Sequence, residues 1–213
     1  MEEKRQQSAT EELANALSHG IGALLAIGGL TMLVFNAILL GNAWYIASFT
    51  IYGVTLVLLY VSSTLYHSFA HTKWKSVFRI IDHSSIFLLI AGTYTPFTLT
   101  VMRGPWGWTI FAMVWGIALS GIIIKILLIN RLKYLSLGLY IAMGWLIVVA
   151  VKPLIEKVET ISLVFLLIGG LLYTSGTIFY ARKRLRFGHT IWHMFVLSGS
   201  ISHFFAVYFL LPT

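Results

Sequence analysis

The chain has 213 residues, of which 58% are hydrophobic and only 10% are charged, far below the roughly 25% of charged residues in a typical soluble domain. This composition excludes an ordinary soluble domain, and the net charge of +8 does not indicate a nucleic-acid partner, because the basic residues lie between apolar blocks rather than along one polar helix. The absence of cysteine excludes disulfides, thiolate metal sites and a cysteine nucleophile, so a metal ion would need His, Asp or Glu ligands.

The N-terminal segment, residues 1–18, is polar and carries four glutamates. It lacks the basic-then-apolar form of a cleaved signal peptide. We therefore expect a short cytoplasmic segment that remains attached to the first membrane helix.

Seven apolar blocks follow this segment. A helix needs roughly 20 mainly apolar residues to cross about 30 Å of hydrocarbon, and each block approaches or exceeds that length. The blocks cover residues 19–40, 44–67, 81–101, 106–128, 134–151, 160–181 and 189–211. The links between them are short, so consecutive helices should pack antiparallel. The sequence predicts an all-α membrane protein, a bundle of seven transmembrane helices that forms a single domain over residues 19–213.

Lys and Arg are distributed unevenly between the two ends of this predicted bundle. Cytoplasmic loops carry an excess of these residues. Of the 15 in the chain, three lie at the end opposite the N-terminus, namely Arg103, Lys152 and Lys157. The remainder lie at the N-terminal end: Lys4, Arg5, Lys73, Lys75, Arg79, Lys125, Arg131, Lys133, Arg182, Lys183, Arg184 and Arg186. This split predicts a multi-pass protein of the cell membrane with its N-terminus in the cytoplasm and its C-terminus outside.

Ionisable residues at the spans converge at one depth. Asp82 is the only aspartate, and no other carboxylate lies at the edge of a predicted span beyond the N-terminal segment. The second span runs inward and ends at His67, whereas the third and seventh spans run outward and begin near Asp82 and His189. Four polar residues, these three and His193, therefore reach the cytoplasmic end together. Ionisable residues in a membrane are costly and indicate function.

The spacing of the histidines is typical of a metal site. His189 and His193 are four residues apart and project from one helix face, and Ser63 precedes His67 by the same interval. Three imidazoles with a fourth position open to water are the ligand set of a catalytic zinc site. We interpret His67, His189 and His193 as zinc ligands and Asp82 as the group that orients the water or accepts its proton. Fe²⁺ and Mn²⁺ bind similar ligands, but a histidine-rich site without cysteine suits zinc best.

Three polar residues at the start of the first helix, Glu12, Asn15 and His19, fall on one face at the same end. Two interpretations stay open. The residues form either an interfacial helix start whose acid complements the helix dipole, or a set of groups that surround and support the metal ligands. Of the other histidines, we expect His71 to lie at the interface and His83 to serve either packing or a local hydrogen bond.

His203 follows His189 by 14 residues, roughly 21 Å along a helix. That distance separates it from the same coordination shell. We expect it to form a hydrogen bond between helices.

Four segments resemble the successive signatures of the bacterial hemolysin III family: EELANALSHGIG, SSTLYHSF, DHSSIFLLIAGTYTP and GHTIWHMFVLSGSISHFF. That family is related to the adiponectin and progestin receptors and, more distantly, to the alkaline ceramidases. The resemblance extends from Glu11 to the end of the chain. It implies a seven-helix fold with a zinc ion near the cytoplasmic side, held by the three histidines named above, with Asp82 holding the zinc-bound water and Ser63 among the groups around the ligands.

These observations favour an intramembrane zinc hydrolase that acts on a lipid amide or ester. The alternative is a non-enzymatic membrane-active protein, either a cytolysin or a factor in membrane homeostasis, in which zinc is structural. A channel is disfavoured because polar residues gather at one end instead of along a pore. The expected partners are membrane lipids, and no nucleic acid is expected.

Overall fold

A computed structural model describes residues 7–128, 133–182 and 184–212. These residues form eight α-helices and one 3₁₀ helix: α1 (Ala9–Leu40), α2 (Ala43–Ser68), α3 (Lys75–Leu99), α4 (Pro105–Leu128), α5 (Lys133–Gly144), the 3₁₀ helix Leu146–Ala150, α6 (Val151–Lys157), α7 (Thr160–Ala181) and α8 (Gly188–Tyr208). Within the described ranges there is no β-strand.

Seven helical segments are long and apolar enough to cross a membrane, which confirms the predicted fold class. Many of their large apolar side chains point away from the protein interior; Leu24, for example, is 73% exposed and Leu127 is 71% exposed. Such a surface is stable against lipid tails and unstable in water. The chain is therefore a multi-pass membrane protein.

The first helix begins at Ala9, well before the apolar block that was predicted to start at residue 19. Its start is a capping box, in which the Ser8 hydroxyl accepts from the Glu11 amide and the Glu11 carboxylate accepts from the Ser8 amide. The polar first turns are thereby helical and continuous with the apolar part. As a result, one buried face of α1 carries polar side chains into the bundle.

The fifth predicted helix is broken. It consists of α5, the 3₁₀ helix and α6, which together extend to Lys157 instead of ending at 151. Pro153 lacks an amide hydrogen and its ring clashes with the carbonyl four residues earlier, so a regular α-helix cannot run through this region. The Tyr94 hydroxyl of α3 fills the break: it accepts from the Ile147 amide at 2.9 Å and lies 2.7 Å from the Met143 carbonyl, to which it donates.

Consecutive helices pack side by side from α1 to α4, and α7 packs against α8. The last helix, α8, returns to pack against α1. Because α2 runs antiparallel to α1, the end of α2 meets the beginnings of α1 and α8. This threading places the predicted site residues at one end of the bundle.

Small residues permit close packing. A Cβ atom added at Gly121 would overlap the Phe87 ring, and one at Gly169 would overlap the His203 imidazole. These glycines therefore serve contacts between helices. The orientation of the bundle in the membrane stays a prediction; of the basic residues behind it, Lys4, Arg5, Arg131 and Lys183 lie outside the described residues.

Candidate metal centre

Three histidines from two helices come together at the end of the bundle that the basic residues predict to be cytoplasmic. His67 ends α2, and His189 and His193 occupy the first two turns of α8. One nitrogen of each ring lies within 4.8 Å of the corresponding nitrogens of the other two. Nitrogens about 2.0–2.1 Å from a tetrahedral zinc would lie roughly 3.3 Å apart. A small inward movement of the rings would therefore suffice to bind one ion.

His67 is prepared for such a role by its hydrogen bonding. Its Nδ1 lies 2.6 Å from Glu12 Oε2, and because an ionised carboxylate can only accept, Nδ1 carries the proton and Nε2 a free lone pair. Nε2 is buried and has no hydrogen-bond partner in the described part of the chain. A histidine held by a carboxylate, with its second nitrogen open, is the usual arrangement of a metal ligand.

The other oxygen of Glu12 is also engaged, since Oε1 accepts from Lys75 Nζ at 3.1 Å. The Glu12 side chain is thus fixed between a cation on one side and His67 on the other. Its carboxylate cannot rotate without losing one of these two contacts. This double attachment orients the imidazole.

His193 is oriented by the backbone of α1. Its Nδ1 lies 3.2 Å from the Asn15 carbonyl oxygen and 3.2 Å from Ser18 Oγ. The Ser18 hydroxyl itself donates to the Asn15 carbonyl at 2.9 Å. The carbonyl can only accept, so it favours the proton on Nδ1 and leaves Nε2 as the free acceptor. The ring is 2% exposed, which keeps that nitrogen in the interior.

The start of α8 is attached to α1 by two further contacts. The Glu11 carboxylate accepts from the Phe187 amide at 2.9 Å, and the Thr190 hydroxyl donates to Asn15 Oδ1 at 2.6 Å. Phe187 has φ of 54°, a left-handed conformation that is unfavourable for this residue type. A carboxylate at the N-terminus of a helix is favourable for the helix dipole. These contacts fix the turn that carries His189.

Asp82 lies near the three histidines without joining them. Its Oδ2 is 3.3 Å from Nδ1 of His83, and that nitrogen also donates to the Arg79 carbonyl at 2.8 Å. The Asp82 carboxylate interacts electrostatically with His67 and His19, but it is not one of the clustered ligand groups. It therefore borders the cluster. Ser63 is buried on α2, one helical turn before His67.

The remaining histidines lie as the sequence indicated. His71 is exposed and His83 makes the local hydrogen bond just described. His203 Nε2 donates to the Leu166 carbonyl at 3.1 Å, which joins α8 to α7. None of these three belongs to the clustered group among the described residues.

Of the three α1 residues with two open interpretations, Glu12 and Asn15 directly contact the histidines or their neighbours. His19 makes no hydrogen bond to a ligand; its ring stacks on His193 with centroids 3.5 Å apart. The helix-start interpretation alone does not account for these contacts.

Sequence reasoning missed Glu11, Ser18, Thr190 and Lys75 as members of this network. A signal was present for two of them, because Glu11 and Ser18 share the helical face of Asn15 at intervals of four and three residues. Thr190 and Lys75 carried no comparable signal. Their roles depend on which face of α1 packs against α8 and α3.

Known protein families and known proteins match nearly the whole chain. Positions 7–204 match the family model described as Haemolysin-III related. The chain is 51% identical over 199 residues to the "Hemolysin-3 homolog" of Bacillus subtilis (strain 168), covering 93% of each chain, and 50% identical over 208 residues to the "Hemolysin-3" of Bacillus cereus, covering 97% of this chain and 95% of that one.

A more distant similarity links the chain to an animal protein. It is 28% identical over 204 residues to the "Monocyte to macrophage differentiation factor" of Homo sapiens. The aligned region covers 93% of this chain and 83% of the human protein.

Proposed function

The chain belongs to the haemolysin-III related family, and we propose that it is an intramembrane zinc hydrolase that cleaves a lipid amide or ester. The observation that carries this proposal is the convergence of His67, His189 and His193, with the buried Nε2 of His67 left without a partner among the described residues. Structural packing alone gives no reason to bury an imidazole nitrogen in this way, because an unpaired polar atom destabilises the fold.

The chemistry of the donors supports zinc. Three neutral imidazoles with no thiolate form the ligand set of catalytic zinc sites, which keep one position open. A zinc ion bound there would polarise a carbonyl group and activate a water molecule. Glu12 would strengthen His67 as a ligand by accepting its Nδ1 proton in a hydrogen bond.

Asp82 is suited to handle a proton beside this centre. It borders the histidine cluster without belonging to it, so its carboxylate stays available to orient a water molecule and accept a proton from it. The neighbouring His83 holds one carboxylate oxygen at 3.3 Å. That contact restrains the side chain through one of its two oxygens.

The position of the cluster supports a lipid substrate. The three histidines lie on helices that are apolar enough to span a membrane, and His67 and His193 are almost fully buried. A substrate that reaches them must bring an apolar chain into the bundle and a polar bond to its end. Lipid amides and esters have this form.

Metal analysis of the detergent-purified protein tests the proposal. We expect about one zinc ion per chain, since one set of three ligands binds one ion, and its loss in His67→Ala and His193→Ala. His71→Ala, which removes an exposed histidine from the same end, is the matched control and should retain the metal. Lipid profiles of cells with and without the protein then identify the substrate. Equal zinc content in all four proteins would reject the metal site.

A second function has one specific observation in its favour. The Bacillus cereus relative, 50% identical over nearly the whole chain, is named "Hemolysin-3". On this alternative the protein permeabilises or remodels membranes without chemistry, and a bound zinc ion only holds α2 against α8. Leakage of a dye from vesicles that contain the purified protein would favour this function, provided that the Asp82→Asn variant leaks equally.

A further inference from the structure

His19 is buried at the polar end of the bundle, and the described residues provide no hydrogen-bond partner for its ring. The residue is 4% exposed. Neither Nδ1 nor Nε2 forms a hydrogen bond in the described part of the chain. Its ring stacks on His193, with centroids 3.5 Å apart and planes inclined by 12°. The Tyr60 ring is nearly perpendicular to the His19 ring, and the two ring centroids are 5.0 Å apart.

Its neighbours on α1 are satisfied. Glu11 accepts from the Phe187 amide, Glu12 from His67, and Asn15 from Thr190. A neutral imidazole has one donor and one acceptor, and leaving both buried without partners is costly. If stacking were the only role of His19, a phenyl ring would fill it at lower cost. The polar atoms therefore require a partner outside the described part of the chain.

The geometry indicates where that partner lies. Ring nitrogens bind in the plane of the imidazole, and the planes of His19 and His193 are nearly parallel, with ring centroids 3.5 Å apart. The nitrogens of His19 therefore lie in a plane displaced from the one in which His193 would bind an ion. In agreement with this, His19 is not one of the clustered ligand groups.

Asp82 also lies near the three histidines. Its carboxylate interacts electrostatically with both His67 and His19, so the acid and the unpartnered imidazole both border the three histidines. An ion held by Nε2 of His193 would lie in the plane of that ring, and His19 stacks on the face of the same ring. An oxygen atom of a molecule bound at the open position of this ion is therefore the candidate partner of His19.

We propose that His19 donates a hydrogen bond to the carbonyl oxygen of the lipid amide or ester bound at the three-histidine centre. This assignment rests on the proposed function. Negative charge develops on that oxygen when a nucleophile adds to the carbonyl carbon, and a fixed N–H donor stabilises it. The imidazole keeps its proton throughout, and no bond to His19 forms or breaks.

Binding of acetohydroxamate to the cobalt-loaded protein tests this role without requiring the natural substrate. Cobalt(II) replaces zinc and gives a visible spectrum that changes when the oxygen atoms of the hydroxamate bind. The variant His19→Phe keeps an aromatic ring on His193 and removes both nitrogens. We expect it to bind cobalt with unchanged affinity and spectrum and to bind acetohydroxamate about tenfold or more weakly, as the loss of one hydrogen bond to a charged group predicts.

Two further variants keep the test independent of packing. His19→Gln and His19→Asn place an amide N–H near the former positions of Nε2 and Nδ1, and we expect at least one to recover part of the hydroxamate affinity. The matched control is His71→Phe, the same substitution at an exposed position, which should bind as the wild type does.

Three results would overturn the assignment. Wild-type hydroxamate affinity in His19→Phe would show that the imidazole does not contact the ligand, and equal losses in the Phe, Gln and Asn variants would reduce its role to packing. Loss of cobalt in His19→Phe would indicate that His19 is itself a metal ligand. Failure of the wild-type protein to bind cobalt at all would reject the proposed metal centre itself, which is a separate outcome.

Discussion

Glu12 Oε2 and His67 Nδ1 are 2.6 Å apart, although the two residues are separated by 55 positions in the chain. The contact joins the beginning of α1 to the end of α2, and it decides which nitrogen of His67 faces the other two histidines. A residue that the sequence placed at a helix start thus controls the candidate ligand on another helix.

The first prediction concerns this contact. Glu12→Gln keeps the size of the side chain but removes its charge, so the Nδ1 proton is held less firmly and His67 is a weaker donor to a metal. We expect zinc affinity to fall roughly 10- to 100-fold, as for other groups that orient metal ligands. Competition with a zinc-binding dye measures it.

The exposed residue Glu156 offers a matched control. Glu156→Gln makes the same chemical change away from the histidines and should retain wild-type affinity. If both variants bind zinc as the wild type does, Glu12 does not contribute to metal binding.

The second prediction separates hydrolysis from membrane disruption. Asp82→Asn should retain its zinc, because Asp82 does not belong to the clustered ligand groups. It should lose about 10²-fold or more of its lipid hydrolysis, the usual contribution of a positioned acid or base. Zinc analysis and release of the lipid product, measured on the same preparation, check both parts. Undiminished hydrolysis would show that Asp82 takes no part in the reaction.

The third prediction concerns orientation. The chain has no cysteine, so single cysteines can be introduced and labelled selectively. We expect Lys157→Cys to react with a membrane-impermeant maleimide on intact cells and Arg184→Cys to react only after permeabilisation, because Lys and Arg are retained on the cytoplasmic side. Both positions are exposed. The opposite pattern would place the histidine cluster at the outer face.

The fourth prediction concerns the break in the fifth span. Tyr94→Phe leaves the Ile147 amide and the Met143 carbonyl without the hydroxyl that joins them. Buried groups left unpaired cost about 1–3 kcal/mol each, so the unfolding temperature in detergent should fall clearly. Tyr45→Phe, which removes a single bond to the Leu210 carbonyl in a partly buried position, should lower it less. Equal shifts would show that the Tyr94 hydroxyl stabilises the protein no more than a single partly buried hydrogen bond does.

The sequence by itself determined the membrane fold and the shared depth of the metal-binding candidates. Apolar blocks of fixed length and a rise of about 1.5 Å per residue set how far each residue lies along the membrane. The end of α2 and the beginning of α8 had to meet at one level. For this reason His67, His189 and His193 were identified before any contact was known, and the structure brings their nitrogens together.

Only the tertiary structure decided which helix faces meet. Depth does not specify rotation about the helix axis, and rotation depends on how side chains of different helices pack. The hydrogen bond of Thr190 to Asn15, the stacking of His19 on His193 and the insertion of Tyr94 into the broken span all join residues far apart in the chain. The first two pairs arise because α1 packs against α8, and the third because α3 packs against the broken span; no local pattern records either arrangement.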